Sequence, residues 1–518
     1  MNEFTKTMAF AGVGAVLFVA AYAATRVPDR AVPDLASKEL GQGEPFFPDF
    51  KDPNAATSLE VVEYDEATAS QRPFKVEFKE GKWTIPSHYD YPADGKDRLV
   101  KTATGVIDLK KDTVRSISIE DQEKLGVIDP LDSKSTSLKG RGKRVTLRDK
   151  SEKVLADLIV GKTIKADEKR SGQRYVRVPE QKATYGIKFD VDLSTKFADW
   201  IETNLLKLDS AKVRRITFNS EKADIRGNQI VVQPGESYTI SRKDGASPWT
   251  IEGLEPDQEV ATDKVSDLTF GLSDLKINGV RPKPAGLTKD LKVSDPGKIE
   301  PTSREGMMSL VNRGFYPTQR GVISNQGEVE VATEDGVVYT LRFGEATFAT
   351  GEALTAGSED EVPKTETPKG KDDEEKTEKK AESSGVGSRY LMVTARFDDA
   401  LIVKPESVVQ PEEGDLPKDV FERSDDEQKT AQAKIDREKA EYEKKVEDGK
   451  KKAEELSDRF AAWYYLTPDS NFKKIALERS SAVRKKSDKP ATGDGAPSPF
   501  GSPAGRGLPP GIALPDNP

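Results

Sequence analysis

The sequence predicts an α+β fold, built as two tandem copies of one mixed strand/helix domain behind an N-terminal transmembrane helix, with disordered inserts and a disordered tail. Three observations carry this expectation. Short segments of alternating apolar and polar residues come in runs, which suits strands paired with their sequence neighbours better than a doubly wound sheet. Only two segments in the first half have helical spacing. The segment around Trp83 also recurs around Trp249, and such self-similarity overrides any reading of single elements.

The alternating runs are Leu59–Tyr64, Phe74–Phe78, Lys82–Ile85, Arg144–Leu147, Val154–Val160 and Arg174–Val178. Ala93–Leu109 is expected as a helix, since Leu99, Ala103, Val106 and Leu109 fall on one face. A second helix is expected over Leu193–Leu206, with Phe197, Trp200, Ile201 and Leu205 facing inward. Trp83 and Trp200 read as core anchors.

The repeat is detailed. Trp83-Thr84-Ile85 matches Trp249-Thr250-Ile251 without a gap, and in that register Asp97 falls on Asp263 and Gly105 on Gly271. Asp108-Leu109-Lys110 then falls on Asp274-Leu275-Lys276, and Val114-Arg115 on Val280-Arg281. Further on, Leu158–Lys162 resembles Leu341–Glu345, Arg174–Val178 resembles Arg389–Val393, and Lys196–Trp200 resembles Arg459–Trp463. The expected organisation is a membrane segment (1–25), a linker (26–55), copy one (56–212), copy two (213–478) and a Pro/Gly-rich tail (479–518).

Copy two is longer through two inserts. Residues 351–387 are rich in Glu, Lys, Asp, Thr and Pro, and the run 364–385 lacks aromatic and large aliphatic side chains, so the insert is expected to be unable to bury enough surface to order itself. Residues 412–456 are charged but helical, with Ile435, Tyr442 and Leu456 at heptad spacing and Val446 and Ala453 on the adjacent stripe. Glu441 with Lys445 and Glu447 with Lys451 stand as favourable i,i+4 pairs, while Lys439 and Gly449 interrupt the stripe. A solvated projecting helix and a coiled coil are the two readings.

Composition removes much chemistry. The chain has 518 residues, a net charge of −9, 35% hydrophobic and 33% charged residues, no cysteine and one histidine. Disulfides, thiolate nucleophiles, Cys-ligated zinc and iron–sulfur clusters are excluded, and any Ser-His-Asp triad would have to use His88. An acidic chain without a long basic run is poorly suited to nucleic acid. Thr7–Ala24 is uncharged over about 18 residues, about 27 Å as a helix, enough to cross a bilayer core. It reads as an uncleaved anchor, with Ala21-Tyr22-Ala23 leaving signal-peptide cleavage as the alternative.

An N-terminal membrane segment, a strand ending in Trp83-Thr84-Ile85, a helix with Gly105-Val106-Ile107-Asp108-Leu109 and the run Leu125-Gly126-Val127-Ile128-Asp129-Pro130 come in order. Val160-Gly161-Lys162, an Arg174-Tyr175-Val176 strand and a Phe197-x-x-Trp200 helix follow. This order resembles the bacterial DUF4340 family, a domain of unknown function, closely in copy one and more loosely in copy two. There Gly286-Leu287 stands for Gly126-Val127 with no proline at the matching place. The resemblance implies an envelope protein whose mass lies outside the inner membrane, in company with ABC-transporter components of gliding-like systems. It brings no catalytic residues.

Candidate chemistry is sparse. His88 follows the Trp83 strand and reads as a surface or turn residue; its counterpart in copy two is Leu254. The shared carboxylates Asp97/Asp263 and Asp108/Asp274 could do acid–base work, but they fit helix starts and a solvated helix face. Gly12-x-Gly14 lies inside the membrane segment, where Ala11 and Ala15 could let two anchors pack. Asp372-Asp373-Glu374-Glu375 is alternated with lysines and reads as a polyampholyte. No catalytic, cofactor or metal residue is expected. The expected function is a non-enzymatic, membrane-tethered extracytoplasmic interaction protein with an ABC-type or envelope partner. The alternative is a ligand- or glycan-binding module using Trp83 or Trp249, and a carboxylate hydrolase ranks last.

Overall fold

A computed structural model describes residues 38–164, 172–227, 229–285, 287–291, 304–349, 351–357, 387–405 and 425–486. The first sheet joins β1 (Ser58–Asp65), β2 (Ser70–Lys79), β3 (Lys82–Ile85), β4 (Tyr91–Pro92), β5 (Thr113–Ser116), β6 (Lys143–Arg148), β7 (Val154–Thr163), β8 (Gln173–Arg177) and β9 (Thr184–Lys188). Their order is β4-β3-β2-β1-β6-β7-β8-β9-β5. Helix α1 (Lys96–Ile107) buries Leu99, Thr102, Ala103 and Val106 and carries the chain from one edge to the other, so that β5 pairs with β9. A short helix α2 (Gln122–Leu125) precedes β6. The mixed α+β class and all six expected strands are present, with boundaries close to those expected.

The second sheet joins β10 (Val213–Asn219), β13 (Ser237–Ser241), β14 (Thr250–Ile251), β16 (Gly279–Pro282), β19 (Glu328–Thr333), β20 (Val337–Thr347), β21 (Ser388–Phe397) and β22 (Trp463–Pro468). Three ribbons accompany it: β11–β12 (Lys222–Arg226, Gln229–Gln233), β15–β23 (Gln258–Val260, Val483–Lys485) and β17–β18 (Phe315–Thr318, Gly321–Ser324). Its helices are α3 (Thr262–Ser273), α4 (Arg304–Asn312), α5 (Gly351–Thr355), α6 (Asp425–Ala461), α7 (Asp469–Ile475) and α8 (Arg479–Ala482). The strand order is β14-β13-β10-β19-β20-β21-β22-β16, which follows the order of the first sheet from β3 onward.

The register agrees as well. In the first sheet Phe74, Val61, Val145 and Leu158 lie side by side, as do Val160, Val176, Tyr185 and Val114. The corresponding rows of the second are Tyr238, Phe218, Val329 and Leu341, then Phe343, Leu391, Tyr465 and Val280. Each sheet also breaks register at the same place, after Val160 in β7 and after Phe343 in β20. Each break contains a glycine, Gly161 or Gly344, and a bulge leaves a carbonyl without a ladder partner. Arg174 donates to the Gly161 carbonyl at 2.8 and 3.1 Å, and Arg389 donates to the Gly344 carbonyl at 2.8 Å.

A helix end presses on each bulge. A Cβ on Gly161 would stand 2.6 Å from the Leu125 carbonyl oxygen, and one on Gly344 would stand 2.0 Å from that of Arg313. Both helices turn off through a left-handed glycine, Gly126 at φ 71° and Gly314 at φ 80°, followed by the buried Val127 and Phe315. The place of Gly126-Val127 is thus taken by Gly314-Phe315, not by Gly286-Leu287 as expected. The reason is spatial: Leu287 follows β16, whereas the chain reaches the bulge only after α4.

Other expectations are corrected. Leu193–Leu206 forms only a 3-10 turn at Phe197–Trp200, although Phe197, Trp200, Ile201 and Leu205 are all buried. Its backbone is used elsewhere: Leu205 donates to the Leu275 carbonyl, and Ile277 donates to that of Thr203. The match of Lys196–Trp200 to Arg459–Trp463 fails by position, since the former follow β9 while the latter end α6 and open β22 at Trp463. Part of the expected linker is core, because Phe46 and Phe50 are buried and Phe46 meets the Tyr185 ring edge-on at 5.3 Å. Part of the expected tail is ordered, since Val483–Lys485 pair with Gln258–Val260.

From Asp425 the expected charged insert is the helix α6, which is 37 residues long and runs past residue 456 to Ala461, while 412–424 lie outside the described residues. Only the C-terminal part of the expected stripe meets the sheet: Ala453 and Leu456, with Phe460 beyond them, are buried in the main core, whereas Ile435 is exposed. No coiled coil is formed among the described residues. Gly449 sits where α6 comes closest, with its Cβ position 2.3 Å from the Asp335 carbonyl oxygen. Lys452 pairs with the Asp335 carboxylate at 2.7 Å. Burial raises that carboxyl's pKa, but hydrogen bonds from Lys452 and Thr333 outweigh it and hold the value below the usual range. Glu441 pairs with Arg437 at 3.8 Å, on the opposite side from the expected Lys445.

Gly449→Ala tests the docking of α6. In an exposed helix the change would add about 1 kcal/mol of stability. Here the added methyl must displace backbone, and a loss of about 1–3 kcal/mol is expected, read as a lower urea midpoint.

Candidate functional site

The two units meet along the chain that joins them, and a cleft of about 860 Å³ opens beside the join. Its first wall is the β2 segment from Ser70 to Phe74 with Ser87 and His88. Thr195–Ala198 add to that wall, and Ile277, Asn278, Leu354 and Thr355 form the other. His88 ends a 3-10 turn, Pro86–His88, that begins at proline.

The ring is held on every side. His88 stacks on Phe197 with centroids 4.2 Å apart and planes 3° apart, and Phe74 meets it edge-on at 6.3 Å. Nδ1 lies 2.9 Å from Ser87 Oγ and Nε2 lies 3.0 Å from Thr355 Oγ1. Thr355 is itself positioned by β16. Arg281 donates to the carbonyls of Ala353 and Leu354, the cation at a helix C-terminus that dipole and unpaired carbonyls favour. Burial pushes the His88 pKa down to about 4, with the nearby Arg281 charge adding to the effect. His88 is thus a turn residue as expected, but it is 4% exposed and not on the surface. The signal missed in the sequence is its partner, which lies 267 residues away.

The other candidates are dispersed. Asp97 and Asp263 lie in the first turns of α1 and α3, while Asp108 and Asp274 are the C-cap residues of the same helices. Within each helix the two carboxylates are about 16 Å apart along the axis, too far to share a proton or flank one bond. Gly105 and Gly271 have a packing role, as Cβ atoms there would meet Val191 at 2.9 Å and Lys474 at 3.1 Å. Trp200 is fully buried, with its indole N–H donating to the Ser194 carbonyl at 2.9 Å. Trp83 packs beside the exposed Phe78 at 5.3 Å. Trp249 has the Arg242 guanidinium over its ring at 4.4 Å. Both are partly buried against the core.

Among the described residues no group of three or more His, Asp or Glu is placed to hold a metal ion. Likewise no described helix is long and apolar enough to cross a membrane. Gly12, Gly14, the segment Thr7–Ala24 and the run Asp372–Glu375 lie outside the described residues.

The buried imidazole makes a pH prediction. The unfolded chain takes up a proton near pH 6.5 that the folded chain refuses until about pH 4. Stability therefore falls as pH drops through this window, by about 3 kcal/mol once both limits are passed. His88→Phe removes this component. The difference in urea midpoint between pH 7.5 and pH 4.5 should be smaller in the variant than in the parent chain.

The family described as Domain of unknown function (DUF4340) matches residues 83–291, less than half of the chain. The match is a single one and runs from β3 across the expected boundary at 212 to the segment after β16. No curated protein and no solved structure matches the chain. Over residues 83–291 the chain is similar to DUF4340.

Proposed function

We propose that the two sheets descend from one duplicated domain, and that the chain is a non-enzymatic, membrane-tethered extracytoplasmic protein whose second unit binds a protein partner. The duplication is supported by the common strand order and by the Gly–Arg pair at the bulge of each sheet. The tether rests on the apolar length of Thr7–Ala24. The partner class, an ABC-type transport or envelope assembly, follows from the family resemblance alone.

One observation carries the interaction reading. Between β8 and β9 the first unit spends only the residues 178–183, whereas between β21 and β22 the second unit carries α6. In the C-terminal half of α6 one face, Gly449, Ala453, Leu456 and Phe460, is buried against the sheet, whereas residues 433–437 and 439–441 are exposed with no buried residue among them. The first sheet closes without such an arm, and long insertions on a rigid scaffold commonly carry function.

The test is purification of the full-length chain from cross-linked, detergent-solubilised native membranes, in parallel with a variant lacking residues 425–447. The reading expects transporter permease or ATPase subunits at near-stoichiometric yield with the parent chain and their loss with the variant, at unchanged melting temperature. Recovery of the chain alone, or equal recovery by both, contradicts it.

A further inference from the structure

The cleft beside His88 has a lining that selects a ligand, independently of what the α6 arm binds. Its volume, about 860 Å³, falls within the range of small-molecule sites, and it lies between two units, where such sites concentrate. The floor is apolar, made by the rings of Phe74 and Phe197 with His88 between them. The walls offer neutral hydroxyl and amide groups: Ser70, Gln71, Ser87 and Thr195 from the first unit, Asn278 and Thr355 from the second.

Charge is largely cancelled. Glu63 at the rim is paired with Lys143, and Arg72 is paired with Asp65, which leaves Lys196 as the remaining charged lining group. An anion would find one exposed lysine and a nearby glutamate. Ser87 and Thr355 already bond His88, Gln71 donates to the Pro130 carbonyl and Asn278 to Ser388, but each keeps a further lone pair or N–H that a purely apolar ligand would leave unpaired. A ligand with many hydroxyls and some apolar ring surface satisfies both floor and walls.

We infer that this cleft binds a short neutral oligosaccharide, gripped by side chains of both units.

His88 is the only histidine, so selective carbon-13 labelling of histidine gives one imidazole signal that reports directly from the cleft floor. The full-length chain is titrated with chitotriose and, separately, maltotriose to millimolar concentration. The inference expects a saturable shift of the His88 signal with at least one of them, and a rise in melting temperature. Two variants locate the site: Ala198→Trp, which fills the cleft from an exposed position, and Gln71→Ala, which removes one wall amide. Gln71→Ala should weaken binding about tenfold, the effect of one lost hydrogen bond of about 1.4 kcal/mol, and Ala198→Trp should weaken it at least as much by occupying the space. If Ala198→Trp unfolds the chain, Gln71→Ala decides alone. No shift with either sugar, a shift unchanged in the folded variants, or a shift produced only by inorganic phosphate or by trialanine overturns the inference.

Discussion

The segment from Trp200 to Leu208 is the constraint on which both units depend. Trp200, Leu205 and Leu206 are fully buried and Leu208 nearly so, in a single core that runs from Phe46 to Ala482. The backbone of this segment belongs to both sides. Leu205 and Thr203 exchange hydrogen bonds with Leu275 and Ile277, Asn204 donates to the Ser273 carbonyl at 2.8 Å, and Arg459 of α6 donates to the carbonyls of Glu202 and Asn204. Tyr91 meets Trp463 edge-on at 4.9 Å across the same boundary. A connector that fills the core it crosses cannot act as a flexible linker, because leaving it would expose several large apolar side chains at about 1.5–3 kcal/mol each. The cleft beside His88 inherits its shape from this join.

The bulge clasp explains why particular residues recur. A glycine is needed at Gly161 and Gly344 because a helix end lies against it, and an arginine is needed on the next strand because the bulge orphans the glycine carbonyl. The repeated Gly105/Gly271 and Asp97/Asp263 have equally local reasons, close packing in one case and the positive end of a helix in the other. The recurring residues of this chain therefore speak for architecture, and the features that separate the two units, α6 and the cleft, are where function is to be sought.

Much of this was legible in the sequence, and what was not has identifiable causes. Strands with one buried face show in alternation, as in β2, where Phe74 and Val76 are buried and Lys75 and Glu77 between and beyond them are not. β9 does not, because Thr184, Tyr185, Gly186 and Ile187 are all buried and the period of two is lost. The residues of 193–206 have helical spacing and do face inward, yet the backbone pairs with the second unit, a preference no local pattern records. The heptad-like stripe of α6 was visible and its role inverted: Gly449, which interrupts it as a coiled coil, is the residue that lets it lie on β21. The inter-unit cleft was invisible, since Ser87 and Thr355 meet His88 from opposite ends of the sequence separation scale.

The most direct test of the account is the unfolding of the full-length chain followed by calorimetry, with Leu206→Asp as the perturbation. One shared core predicts a single transition whose calorimetric and van't Hoff enthalpies agree, and a variant in which the whole transition moves to lower temperature. Two separate transitions in the parent chain, or a variant in which one unit melts early and the other is unaffected, would show that the connector does not bind the two sheets into one body.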